Sequence, residues 1–284
     1  GIKGVGRQFN TNILNAGDIS VFLSNIDDGA TSTGISLIAT YDAIIENTGD
    51  LEIVAESDNG IAKAYGMRAL SQFGFIEASN AGSIMATSES GIANAVSLNG
   101  FHGVSFTNTG DIKAIGDNAV AISSNLEQYT YYGTDIVNKG KIHGGILTGA
   151  GDDMLQNDAS GSIFLSDSTI DLGDGENAFV NLGELFADGD ANLINIGAGN
   201  LFTNNGNSIH MDDGAADDSL TIVGDFNGTG GVFVDVDGAN LTSDTLLIDG
   251  NVLAGTANTV SINFVTPVDF SDISNGAEIT IISV

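Results

Sequence analysis

One phrase, Asn-x-Gly-x-aliphatic, returns about every thirty residues and constrains what this chain can fold into more than any other feature. "ENTGDLEIVAESDNGIAKAYGM" (residues 46–67) comes back as "SNAGSIMATSESGIANAVSL" (79–98) and as "TNTGDIKAIGDNAVAISS" (107–124). The repeat asparagines are Asn15, Asn47, Asn80, Asn108 and Asn138, each with a glycine two residues on. Four residues after each stands Ile19, Leu51, Ile84, Ile112 or Ile142, and two residues before it Ile13, Ile45, Ala78, Phe106 or Ile136. The intervals between successive copies are 32, 33, 28 and 30 residues; a looser continuation through Ile163 and Leu185 shortens them to 21 and 22. A period of this size means stacked units, none of which can bury its apolar face alone.

The flanks alternate with period two, glycine is frequent at 39 residues, and helix-capping signals are missing, so helical repeats fit poorly. Uneven intervals fit a parallel β-helix, in which coils share inward positions and absorb insertions in surface turns. The chain is expected to be all-β, a single solenoid over 1–284. Regular coils of about 30 residues occupy 1–145, and shorter, then wider ones occupy 146–284. In each coil the aliphatics should point inward, and the asparagine should take the left-handed turn conformation and bond the asparagines above and below. The glycine should let the backbone bend without a Cβ clash.

Charge excludes whole classes of partner. Against 37 acidic residues stand 7 basic ones, a net charge of −30, so no Lys/Arg stripe exists to displace phosphate counterions from nucleic acid. Such acidity gives a repulsive, soluble surface, or one that binds cations. With 0 cysteines, disulfides and zinc-thiolate sites are ruled out. No apolar run is long enough for a transmembrane segment. The opening "GIKGVGRQFN" lacks a signal peptide's apolar core and reads as the start of a mature product or an excised segment.

The Asn-x-Gly-x-Ile ladder resembles the passenger region of bacterial autotransporters, the type V secreted proteins of Gram-negative outer membranes. The closing "DDSLTIVGDFNGTGGVFVDVDGANLTSDTLLIDGNV" and the terminal "GAEITIISV" are similar to the stretch that ends many such passengers. The resemblance implies a right-handed parallel β-helix, exported through the outer membrane and displayed on the cell surface or released, with adhesion or recognition as its function. It carries over no active-site residues.

Three further stretches, "GAGDDML" (149–155), "GDGENAF" (173–179) and "GAADDSL" (214–220), resemble the calcium-binding nonapeptide repeat. Calcium is therefore a possible ligand, with Asp152, Asp153, Asp174, Asp217 and Asp218 as candidate oxygen donors. The plain alternative is solvated turns whose Leu155, Phe179 and Leu220 fill the core. One patch breaks the acidic run: "LEQYTYYGTDIVNKGKIH" (126–143) holds Tyr129, Tyr131, Tyr132, Lys139, Lys141 and His143. If Ile142 points inward, Lys139, Lys141 and His143 face outward together, and counting back seven residues from the repeat Asn aligns Phe73, Phe101 and Tyr131. Exposed aromatics beside cations suit contact with a protein or a glycan; an aromatic stack filling a bend is the alternative.

The 3 histidines, His102, His143 and His210, stand far apart in the repeat register, and no Gly-x-Ser-x-Gly elbow is present, so the chain is expected not to be an enzyme. Three readings follow: a non-catalytic surface or secreted passenger contacting a cell-surface protein or glycan, a subunit that assembles with copies of itself, and a polysaccharide-active β-helix enzyme.

Overall fold

The computed structural model describes residues 1–6, 10–25, 29–57, 61–89, 91–124, 132–206, 208–266 and 279–284. Among these it is all-β and built from parallel sheets wound as a solenoid, with three strands to a coil. The chain divides into two compact units, Gly1–Leu155 with Leu172–Asn177, and Gln156–Asp171 with Ala178–Val284.

In the first unit one face stacks Thr31–Ala39, Lys63–Ser71, Ile92–Gly100 and Asn118–Ser123. The second face stacks Thr11–Asn15, Ala43–Asn47, Ile76–Asn80, Val104–Asn108 and Thr134–Asn138. The third stacks Ile19–Asn25, Leu51–Ser57, Ser83–Ser88, Asp111–Ile115 and Lys141–His143. The register is the one the repeat predicts. Ile13, Ile45, Ala78, Phe106 and Ile136 pair in one column, and Ile19, Leu51, Ile84, Ile112 and Ile142 in another. On the remaining face Ile35, Met67, Val96 and Ile122 continue the pattern. In the column that Ile19 begins, Leu51, Ile84, Ile112 and Ile142 are buried, and each large aliphatic removed from water contributes about 1.5–3 kcal/mol. Ala78 lies directly under Phe106, so a small residue gives a large neighbour room.

The phrase itself is explained by hydrogen bonding. Asn15 donates from Nδ2 to Oδ1 of Asn47 at 2.8 Å, Asn47 to Asn80 at 2.9 Å, Asn80 to Asn108 at 3.0 Å and Asn108 to Asn138 at 2.9 Å. Each Nδ2 also reaches the carbonyl of its own glycine, as in Asn47 to Gly49 at 2.7 Å and Asn80 to Gly82 at 2.8 Å. The buried amides of this ladder are tolerated because each is paired with its neighbour. Two expectations about the turn change. The asparagines do not adopt positive φ; among the described non-glycine residues only Asp167 and Leu241 do. The turn is closed by the side-chain amide, and a left-handed backbone is not needed. Nor do the motif glycines serve to bend the chain. A Cβ on Gly82 would stand 2.1 Å from the carbonyl oxygen of Gly49, and one on Gly110 1.9 Å from that of Gly82. From Gly49 to Gly140 glycine is required because the preceding coil passes too close for any side chain; at Gly17, where nothing lies within 4 Å, it is not.

In the second unit Ser162–Ser166, Glu184–Asp188, Ser208–Met211, Gly231–Asp237 and Thr259–Thr266 form one face. Thr169–Asp171, Asn192–Asn195, Ser219–Val223 and Thr245–Asp249 form another. Ala178–Asn181, Leu201–Asn204 and Asp225–Gly228 form the third. Buried Phe179 and Phe202 meet edge to face with ring centroids 4.9 Å apart, and Phe202 stacks on Phe226 at 5.5 Å. A second amide ladder runs from Asn157 to Asn181 to Asn204 at 2.8 and 3.0 Å. After Gly231–Asp237 the chain turns back, and Thr242–Ser243 pairs antiparallel with that strand.

Candidate functional site

The patch read from residues 126–143 divides. Tyr129 and Tyr131 lie outside the described residues. Lys141 and His143 flank buried Ile142 and face outward as expected, whereas Lys139 sits in the turn before their strand. Tyr132 precedes the strand Thr134–Asn138 and the lysines follow it, a separation of about 20 Å along extended chain. His143 Nε2 stands 3.4 Å from Asp111 Oδ1. Burial lowers its pKa; Asp111 opposes that, and Lys113 and Lys141 add to it.

Tyr132 instead joins an aromatic ridge on one corner of the first unit. Phe73 and Phe101 meet edge to face at 6.3 Å, Phe101 lies 5.1 Å from His102, and His102 lies 5.2 Å from Tyr132. Phe73 is 56% exposed, Tyr132 53% and the neighbouring Phe75 38%. These rings come from turns in three successive coils. A Cβ placed on Gly103 would touch both Phe75 and Tyr132, so the two sit side by side.

The acidic phrases separate as well. Leu155, Phe179 and Leu220 are all buried. The first two phrases stack on each other: Glu176 N donates to Asp152 Oδ1 at 2.9 Å, Asp153 N to Asn177 Oδ1 at 2.9 Å, and Gly151 N to the Asp174 carbonyl at 3.0 Å. Asp153 is buried and accepts from Thr134 N. Burial raises its pKa to about 6, against hydrogen bonds from Thr148 and Thr134 that favour the charged form. The third phrase leads into the strand Ser219–Val223 of the second unit, whereas Asp152, Asp153 and Asp174 belong to the first.

There, in the second unit, Asp218 meets two residues that sequence reasoning passed over. One carboxylate oxygen from each of Asp188, Asp213 and Asp218 lies within 4.8 Å of the others. Asp188 ends one strand and Asp213 follows the next, so coil stacking joins residues about 25 apart in the chain. The nearest sequence signal is Asp213 itself, one residue ahead of "GAADDSL". Asp218 is 3% exposed. Its Oδ1 accepts from Gly189 N at 2.6 Å, and its buried Oδ2 has no hydrogen-bond donor. Burial, reinforced by the charges of Asp213, Asp244 and Asp188, raises its pKa to about 7 against the Gly189 hydrogen bond. Behind it, fully buried Asp244 accepts from Asp218 N at 3.0 Å and Asp235 N at 2.6 Å. Burial pushes Asp244 to about 6 despite those two bonds.

A cavity of about 200 Å³ opens beside the triad, walled on its other side by Phe186 and His210. These rings belong to a stack that was also not anticipated: Phe164, Phe186, His210 and Phe233, at 4.7, 4.9 and 4.9 Å and within 17° of parallel. Each follows an inward aliphatic in the repeat (Ile163, Leu185, Ile209 and Val232), which is the signal that aligns them. His210 is held between Glu184 Oε2 at 2.8 Å and Asp212 Oδ1 at 2.9 Å.

The fold is thus a parallel β-solenoid with amide ladders and an acidic surface. The chain is similar to the probable autotransporter YfaL of Escherichia coli (strain K12), at 32% identity over 149 aligned residues. The match covers 42% of this chain and 12% of the relative, so the chain spans a small part of that protein's length. No protein-family model matches the chain, and no solved structure matches it. No helix among the described residues is long and apolar enough to cross a membrane.

Proposed function

We propose that this chain is a non-catalytic passenger segment, displayed on a bacterial cell surface or released from it, that binds a cell-surface protein or glycan. The single observation that carries the binding reading is the aromatic ridge of Phe73, Phe75, Phe101 and Tyr132. Large rings left in water on a surface otherwise dominated by carboxylates cost free energy unless a partner covers them. Aromatic rings supply contact area at low conformational cost. The solenoid, the resemblance of its repeat to autotransporter passengers and the partial similarity to a probable autotransporter support the location. The test is a Phe73→Ser/Tyr132→Ser double variant assayed on intact cells and on immobilised glycans. Binding should fall at least about tenfold, the loss of two interface anchors, with the melting temperature unchanged. Undiminished binding would remove the ridge from the interface, and turnover of any glycan would replace the binding reading with a polysaccharide-active enzyme.

Assembly with copies of itself is favoured by a different observation. The strand Thr259–Thr266 leaves Val260, Ile262 and Phe264 exposed at 38, 45 and 55%. An apolar strand in water is a template for pairing with another chain. Light scattering over a concentration series tests it: a mass that stays monomeric counts against assembly.

A further inference from the structure

We infer that Asp188, Asp213 and Asp218 form a divalent-cation site selective for calcium, at the mouth of the cavity beside Phe186 and His210. The first ground is spacing. Oxygens that share one divalent cation at about 2.4 Å can be separated by no more than about 4.8 Å. One carboxylate oxygen from each residue lies within 4.8 Å of the others, so the three can share an ion. Calcium, with its flexible shell, suits a site with two exposed ligands better than magnesium, which demands a near-ideal octahedron. The second ground is independent of the clustering. Asp218 is 97% buried by its 3% exposure, one oxygen is occupied by Gly189 N, and the other lacks any donor. A buried carboxylate oxygen with no hydrogen bond is among the costliest arrangements in a protein, and the same carboxyl group has two further carboxylates beside it.

No cationic side chain resolves this. The 7 Lys and Arg residues all precede residue 142 in the sequence, so the second unit contains none. His210, the nearest imidazole, already has a carboxylate at each nitrogen. Asp213 and Asp188 are exposed, so an ion reaches the site from solvent and completes a shell of six to eight oxygens with water. Asp218 supplies the fixed ligand, held from behind by Asp244 through its own backbone N–H. Of the five carboxylates that the acidic phrases suggest, Asp218 alone belongs to the triad. The site joins residues on adjacent coils and does not use the stacked phrases at 149 and 173.

The test uses the full 284-residue chain, titrated calorimetrically with CaCl₂ and separately with MgCl₂, and melted in CaCl₂ or EDTA. One calcium should bind per chain with a dissociation constant of about 10⁻⁴–10⁻³ M, magnesium at least about tenfold more weakly, and calcium should raise the melting temperature. Asp213→Asn and Asp188→Asn, both at exposed positions, should each weaken calcium at least about tenfold while the EDTA melting temperature stays equal or rises. Asp218→Asn should abolish binding, and the two exposed variants decide the matter if that protein folds poorly. No saturable calcium binding up to about 10 mM, equal affinity for magnesium, or affinity unchanged in both exposed variants would each overturn the site. The readout is independent of the aromatic ridge, so this inference and the adhesion reading fail separately.

Discussion

Replacing Asn80 tests the amide ladder where it is continuous on both sides. Asn80 accepts from Asn47 at 2.9 Å and donates to Asn108 at 3.0 Å and to the Gly82 carbonyl at 2.8 Å, at 1% exposure. A hydrogen bond contributes a net stabilisation of about 1 kcal/mol, and its buried partners lose more when abandoned. Asn47 and Asn108 keep their contacts with Gly49 and Gly110, which limits that second loss. Asn80→Ala should therefore destabilise by about 3 kcal/mol. Asn80→Asp is the sharper change. A carboxylate still accepts from Asn47, but it sets a negative charge against two oxygens that need a donor. It should cost a further 1–3 kcal/mol or so at pH 7.5, and part of this should return on acidification as the carboxyl takes up a proton. Asn118→Ala, at an exposed position, is the control and should stay within about 0.5 kcal/mol. Urea unfolding followed by circular dichroism gives the size of each effect. Because stacked repeats can unfold in parts, hydrogen exchange locates the damage, which should centre on the coils of Asn47, Asn80 and Asn108. If Asn80→Ala behaves like Asn118→Ala, or if the Asp and Ala variants match, the ladder does not hold these coils together.

Three other substitutions test the glycines and the buried acid. Gly110→Ala should destabilise by roughly 2–4 kcal/mol, in the range of an overpacked core, because its Cβ would stand 1.9 Å from a backbone oxygen. Gly17→Ala, at the same place in the phrase but with nothing within 4 Å, should be neutral or stabilise by up to about 0.5 kcal/mol; thermal melts of the pair check this. Asp153 carries a raised pKa, so the folded state binds its proton more tightly than the unfolded chain does. Its burial penalty is absent below the ordinary value of 3.8, grows as pH rises to about 6, and is full above that. The shift of about two units sets a ceiling of about 3 kcal/mol, and solvent screening leaves roughly half. Asp153→Asn should thus gain about 1–2 kcal/mol at pH 7.5 and lose its advantage by pH 4, measured as the difference between the two stability–pH curves. Parallel curves would refute it.

The repeat made the registers legible because inward residues must match from coil to coil, as Ile84, Ile112 and Ile142 do. The partnering of asparagines was legible for the same reason. The role of the motif glycines was not, since the closeness of Gly82 to Gly49 belongs to the distance between coils and leaves no mark within one phrase. Nor was the acidic triad. Asp188 and Asp213 share no motif with Asp218 and meet only through stacking. The outward ring stack was hidden for a different reason. Phe164, Phe186, His210 and Phe233 are not of one residue type, and they align only after the inward columns are known.

The amide ladder has a direction. Every Nδ2 from Asn15 to Asn108 donates toward the coil that comes later in the chain, and each pairing spans 28 to 33 residues. The entropy of closing a loop depends on its length, so the cost of adding a coil stays constant however many precede it. A chain delivered one end first can set each turn on the finished edge of the previous one, with no distant partner to wait for. Growth by local templating, at a fixed increment per turn, is what such a ladder allows.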